Sequence, residues 1–318
     1  MELTSSALTL FRTKFETIFN EAYNLATPQA EKVAFTFNSG RVEQVMHRWL
    51  QGIRSPIEFI DERKGSNVTT AGQTVVNKMW EDTIDIPKLS LERDQYGVYT
   101  PLVSRLGQVV KLHRDKLVFG GLSDLLSGSS TTGISLNSYD GTAFYGSHTI
   151  GTQTFNNKNS GSGSTLTQAN LIAAITSLRA RKDSQGNALM AATARPLLVV
   201  PPALEFTARA LATQAWFPVA APGTALSTTG ASGENILAGA LDVVVSPYLQ
   251  TNTEWHLTIV DPLFKPILLQ IEKENEFLAP PQFFQNWFAD KEIYRIGTRG
   301  LYVAAPALPE FAYGSTGA

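Results

Sequence analysis

The stretch that follows Thr100-Pro101 constrains this chain most. Thr is a good helix N-cap, and Pro fits a first helical turn, where its missing N–H has no partner to lose. Leu102, Leu106, Val109, Val110, Leu117 and Leu125 then recur at near-helical spacing, and Ser127-Gly128 supplies the stop. This is the longest helix the sequence predicts. Gly120-Gly121 inside it costs roughly 1 kcal/mol per glycine relative to alanine, a weak point at which the helix has room to bend.

The segments before that helix are unusual. Residues 3–26 read as an amphipathic helix whose apolar stripe is Leu8, Phe11, Phe15, Ile18 and Phe19. Nothing nearby in sequence covers the stripe, so docking on a neighbouring copy of the chain is expected rather than docking on its own domain. Residues 33–94 read as strands and turns: Val33 to Phe37 alternates, Arg63 to Asn67 is a polar turn, Thr74 to Val76 and Thr83 to Ile86 resemble returning strands, and Pro87 ends the pairing. Trp49, Phe59 and Trp80 argue for an extended hairpin arm over a disordered insert, because disordered segments are poor in aromatics.

Beyond the long helix, loops, helices and strands alternate. Asp140-Gly141-Thr142 signals a turn, and residues 151–165, rich in Gly, Ser, Thr and Asn, signal a loop. Thr165 with Gln168 makes a capping-box pattern before a helix faced by Leu171, Ile172, Ile175 and Leu178 and closed by Arg179, Arg181 and Lys182. Leu197 to Val200 is an apolar strand, and a helix through Phe206, Ala210 and Leu211 comes after it. Residues 218–235 form a second loop. Residues 241–245, 255–260 and 267–271 are strand-like. This alternation predicts an α/β or α+β domain over roughly 150–270. The strand predicted over Glu292 to Val303 is expected to return to the domain that holds the long helix, which makes that domain discontinuous.

Composition narrows the function classes. A length of 318 residues suits about two domains. Charged residues are 17% of the chain, against about 25% in ordinary soluble domains, and interface cores are where charge is depleted. A net charge of −2 argues against a strongly basic nucleic-acid surface. With 0 cysteines there is no disulfide framework and no thiolate chemistry. Met1-Glu2-Leu3-Thr4 does not open a signal peptide, and no apolar run reaches the ~20 residues that span a bilayer.

The search for chemistry predicts no catalytic, cofactor-binding or metal site. His47, His113, His148 and His256 have no second His or carboxylate at metal-ligand spacing. Gly161 to Thr165 lacks the Gly-Lys-Ser/Thr ending of a phosphate loop, and there is no Gly-x-Ser-x-Gly elbow. Asn67-Val68-Thr69 matches a glycosylation acceptor, without the secretory signal that would make it relevant.

The order of these segments resembles that of the Mu-like phage major head subunits, and through them the tailed-phage capsid fold. The resemblance is carried by the N-terminal helix running into the arm from Trp49-Leu50 to Trp80-Glu81, by Tyr96 to Pro101 opening the long helix, and by Asp140 to His148. It continues through Leu197 to Ala203 with the helix after it, Leu241 to Pro247, and Arg295 to Val303. It implies an α+β tailed-phage major capsid fold. The parts would be an N-terminal arm over 1–40, an extended β-hairpin loop over 41–94, a peripheral domain with the long spine helix over 95–150 and 271–310, an axial α/β domain over 151–270, and a C-terminal tail over 311–318. It further implies self-assembly into hexamers and pentamers of an icosahedral head around double-stranded DNA, touched weakly and non-specifically. The implied partners are a portal, a decoration protein and, because the arm begins within a few residues of Met1, a separate scaffolding protein; no membrane is implied. The implied location is the virion capsid, reached through the host cytoplasm. Phe11, Phe15, Trp49 and Trp80, with the charge run Asp61-Glu62-Arg63-Lys64, are the expected contacts between subunits, and loops 151–165 and 218–235 the expected flexible joints. The rival readings are an encapsulin-like compartment shell and a soluble α/β ligand-binding domain.

Overall fold

The computed structural model describes residues 5–50, 70–93, 97–150, 153–190, 194–218, 232–259, 264–280, 282–283 and 291–318. Helix α1 (Ser5–Leu25) and the single turn α2 (Ala30–Val33) lead into strand β1 (Ala34–Asn38). A hairpin of β2 (Gln44–Leu50) and β3 (Thr70–Val76) comes next, then β4 (Lys78–Pro87), α3 (Lys88–Glu92) and the long α4 (Tyr99–Ser127). Val98, without a capping side chain, sits at the N-cap of α4, and Pro101 falls in the first turn. Gly128, at φ 77°, ends the helix in the left-handed conformation that glycine adopts at least cost.

The weak point expected at Gly120-Gly121 does not interrupt α4, which is one unbroken helix. The glycines make room instead. A Cβ on Gly120 would stand 3.0 Å from the Thr132 methyl, and one on Gly121 2.9 Å from Ile134 Cδ1. From Leu117 to Leu126 every residue of α4 is buried, because this half of the helix runs through the interior, with Ser123 and Asp124 as its polar members.

The apolar stripe of α1 is covered by its own chain. Leu8, Phe15, Phe19 and Tyr23 pack with Val103, Leu106 and Val110 of α4 and with Phe277, Tyr294 and Ile296. The Phe15 ring meets Tyr294 edge-on at 6.2 Å, and Phe19 lies 5.4 Å from Phe277. The expectation that the stripe docks on a neighbour is therefore corrected: Phe15 is 2% exposed within one chain and offers a neighbour almost no surface. Changing Phe11 and Phe15 together to Ser should lower the melting temperature of the unassembled subunit. Emptying an aromatic site costs roughly 3–5 kcal/mol, or at least ~6 °C. An unchanged calorimetric melt would return the stripe to the neighbour.

Two sheets organise the remainder. The first has order β1-β13-β14-β4, with β13 (Ile267–Leu278) and β14 (Ile293–Pro306) at its centre. The second has order β11-β8-β12-β15-β7, from β7 (Lys158–Asn159), β8 (Pro196–Val200), β11 (Asp242–Val245), β12 (Trp255–Ile259) and β15 (Ala312–Ser315). Helices α5 (Gln168–Arg179) and α6 (Glu205–Thr213) contribute Leu171, Ala174, Ile175, Leu178, Ala208, Leu211 and Ala212 to the core that holds Leu198, Val200, Trp255 and Leu257 of the second sheet. Two small hairpins complete the described residues: β5 (Ser147–Ile150) with β6 (Gln153–Asn156), and β9 (Trp216–Pro218) with β10 (Ser232–Glu234). The C-terminal half of α4 touches both sheets: Val118, Phe119 and Leu122 share one core with Leu197 and Val199 of β8 and Leu269 of β13.

Several expected boundaries move. Strand β4 leaves the hairpin and pairs with β14 from Lys78 to Pro87. Ile267 to Gln270, placed with the axial segment by sequence, belongs to β13 of the first sheet. Residues 311–318 are not a free tail, because β15 lies inside the second sheet between β12 and β7. The N-cap of α5 is Thr167, which accepts from the Asn170 N–H at 3.2 Å, and not Thr165. Residues 153–165 are strand and tied turn rather than a loose joint. Ser164 Oγ accepts from the Ala318 N–H at 2.9 Å, and its carbonyl accepts from Trp255 Nε1 and Ser315 Oγ. Of the other expected joint, residues 219–231 lie outside the described residues.

Candidate functional site

The expected contact residues do not form one cluster. Trp49 sits near the end of β2, half-buried against the core under the second sheet. It stacks at 6.2 Å on His47, which meets Phe37 edge-on at 4.9 Å. The root of this hairpin is fixed by polar bonds. The buried Gln270 amide donates to Asn77 Oδ1 at 2.8 Å, which turns its oxygen toward His47 Nε2 at 2.7 Å. Asn77 in turn donates to Ser39, Val42 and Glu272. Phe11 is half-buried on α1, 6.0 Å from Phe15. Asp61, Glu62, Arg63 and Lys64 lie outside the described residues.

Trp80 is on β4, in the first sheet. Its Nε1 donates to the Tyr302 carbonyl at 2.8 Å, and its ring meets His113 of α4 at 4.7 Å. These residues border a cleft of about 160 Å³ with Glu81, Asp82, Val109, Val110, Asn275 and Thr298. Beside it, α4 exposes Val98 (66%), Leu102 and Val109 (44%), spaced along one side of the helix. The sequence pattern assigned Leu102 and Val109 to the buried face. The apolar residues of this segment cover more of the helix than one core contact needs, and that excess was the available signal.

The histidines serve the fold. His113 Nδ1 bonds the Tyr302 hydroxyl at 2.9 Å, His148 lies between Asp140 (2.7 Å) and the Phe144 carbonyl (3.0 Å), and His256 Nδ1 bonds the Tyr145 hydroxyl at 3.0 Å. Among the described residues no three His, Cys, Asp or Glu side chains stand together as a metal site, and no helix is long and apolar enough to cross a membrane.

Charged groups that the sequence could not single out join α4 to the second sheet. Asp124 is fully buried and accepts from the N–H and hydroxyl of both Thr131 and Thr132 and from the Gln250 amide. Glu254 accepts from Ser123 Oγ at 2.7 Å and the Thr251 N–H at 3.0 Å. Burial pushes the Glu254 carboxyl up, but these bonds and the His256 imidazole 3.7 Å away outweigh it and hold the pKa at about 2. Burial likewise pushes Asp124 up, and its threonine and Gln250 donors bring it below the ordinary carboxylate value. Both folded-state values are depressed, so both contributions are present above the unfolded pKa and are lost as pH falls. For Glu254 the loss runs from about 4.5 to about 2 and amounts to roughly 3 kcal/mol. Urea titrations between pH 6 and pH 2 should show this fall, and Glu254→Gln should flatten it. An unaltered slope in that variant would contradict the assignment.

The comparisons with known proteins agree with this architecture. A procapsid structure of bacteriophage JBD30 is similar over 99% of this chain and 76% of that one, with TM-score 0.54 and 19% identity, so the chain has the fold of a tailed-phage capsid protein. The Mu-like prophage FluMu major head subunit of Haemophilus influenzae is 29% identical over 134 residues, 42% of this chain and 41% of that protein. The major capsid protein of Escherichia phage Mu is 25% identical over 145 residues, 46% of this chain and 45% of that protein. Each match thus spans less than half of the relative. The family model reaches further, since the description "Mu-like prophage major head subunit gpT" matches residues 8–163 and 150–249. The chain belongs to the family of Mu-like prophage major head subunits.

Proposed function

We propose that this chain is the major capsid protein of a tailed-phage or prophage head. It acts by packing against copies of itself as hexamers and pentamers of an icosahedral shell, and it carries no catalytic role. The observation that carries the reading is the family match over most of the chain, joined to a capsid fold along nearly its whole length. The low charged fraction and the exposed apolar row on α4 support it, because both suit a surface that another subunit covers. Many modest contacts, multiplied by closure of a shell, give the assembly its strength. Phe11, Trp49, Trp80 and the run Asp61 to Lys64 remain proposed contacts between subunits. A portal, a separate scaffolding protein, a decoration protein and weakly held DNA are the proposed partners, in the virion and, before that, in the host cytoplasm. The encapsulin-like shell shares the fold; the family match favours the phage head. Size-exclusion chromatography of the purified chain tests the reading. Elution as rings or shells supports it, and a lasting monomer at high concentration contradicts it.

A further inference from the structure

We propose that the cleft bordered by Trp80 is a socket for one cationic side chain, an arginine above all, presented by a second copy of this chain. The proposal rests on the self-association reading above. Three elements build the socket: β4 supplies Trp80, Glu81 and Asp82, α4 supplies Val109, Val110 and His113, and the paired strands β13 and β14 supply Asn275, Thr298 and Tyr302.

The cleft holds an acceptor without a partner among the described residues and a carboxylate at its rim. The Trp80 N–H is used on the Tyr302 carbonyl, and the Tyr302 hydroxyl is used on His113. Beside them stand the acceptor of Asn275 and the charge of Asp82. Asn275 Oδ1 is buried with no partner among the described residues, and Asp82, on the same face of β4 as Trp80, stands at the rim, while Glu81 turns its side chain to the other face beside Arg295. The walls are aromatic faces, which attract a cation within about 6 Å and stack on a planar guanidinium. Tyr302 already takes Arg114 at 5.6 Å from its ring centre, so the open surface is that of Trp80 and His113. Burial and nearby Lys116 hold His113 below the ordinary histidine value, which keeps the ring neutral at pH 7.

Size and surroundings select the occupant. About 160 Å³ accepts a side chain, whereas small-molecule sites run to roughly 300–1,000 Å³. Val109 lines the cleft and also ends the exposed row Val98, Leu102 and Val109, so the socket opens onto an apolar strip. An apolar strip with one buried anchor is how a protein partner is recognised, and arginine is enriched at such anchors. With 26 basic residues against 28 acidic, the chain can supply the cation from its own surface.

The test has two arms. In the first, N-acetyl-L-arginine amide is titrated against the chain below its self-association concentration, with the citrulline analogue as its uncharged counterpart. The readout is Trp80 emission, taken as the difference from the Trp80→Phe variant. Arginine should alter it at millimolar concentration and citrulline should not. Asp82→Asn should weaken the response at least about threefold. Equal responses to both compounds, or none to arginine, would overturn the socket. In the second arm, Asp82→Lys should raise the concentration needed for self-association at least about tenfold while the melting temperature stays within ~2 °C. Unchanged association would overturn the second copy as the occupant. A wild-type chain that never associates would overturn that occupant together with the proposed function, and the arginine response would still judge the socket alone.

Discussion

Gly107→Val should unseat α1 from α4 and produce one of the largest losses of stability open to a single substitution in this chain. Gly107 is buried where the two helices cross, and a Cβ built on it would stand 2.6 Å from the Phe19 carbonyl, 3.2 Å from the Tyr23 nitrogen and 3.3 Å from Ala22 Cβ. Two of those atoms are backbone, so the neighbour cannot yield by rotating a side chain; the helices must move apart. Separation would pull Phe15, Phe19 and Tyr23 off Val103, Leu106, Phe277 and Tyr294 together. Overpacking alone costs roughly 1–3 kcal/mol, and lost burial of the aromatic stripe adds to it. Gly107→Ala gains roughly 1 kcal/mol of helix propensity and still meets the same carbonyl, so it should destabilise less. Thermal melts of the unassembled subunit should rank wild type above Ala and Ala above Val. A valine variant as stable as wild type would mean that α1 does not rest on Gly107.

Arg181→Ala should detach the last strand. The guanidinium lies in the interior just after α5, where Nη1 donates to the carbonyls of Pro309 at 3.2 Å, Glu310 at 2.5 Å and Ala312 at 2.9 Å, and its plane rests 4.6 Å from the Phe155 ring centre. Burial draws its pKa down to about 10, so it stays charged at neutral pH. It holds the turn that feeds β15 into the second sheet, beside the buried Glu310 that takes the Tyr139 hydroxyl. Removing one member of such a buried charged network costs roughly 3–5 kcal/mol. The melting temperature should fall by at least ~6 °C, and residues 309–318 should become open to protease. Arg181→Lys should restore only part of this, because one ammonium cannot reproduce the guanidinium fork. A resistant C-terminus in the alanine variant would contradict the role.

The C-terminal limit of α4 was legible because termination at Gly128 is local, and Pro101 marked its first turn, but the expected cap at Thr100 is not used: Val98 holds the N-cap and Thr100 lies inside the helix. Strands β8, β11 and β12 were legible as short apolar runs for the same reason. The docking of α1 was not, because its covering residues Phe277 and Tyr294 come from the far end of the chain. The same holds for β4. Its alternation marks a strand, but nothing local says that it pairs with β14 rather than with the hairpin. The Gly120-Gly121 pair was read as weakness because propensity is local and the approach of Thr132 and Ile134 is not. At the candidate socket, Trp80 stood out as an aromatic in a polar arm, while Tyr302, 222 residues away, and His113 acquire meaning only through the fold. Asp124, Arg181 and Glu254 look like ordinary surface charges until burial is known.

Negative-stain electron microscopy of the purified chain tests the central claim most directly. The account predicts closed shells, or the five- and six-membered rings from which shells are built. A uniform field of single subunits or dimers, at concentrations where a head protein must assemble, would contradict it.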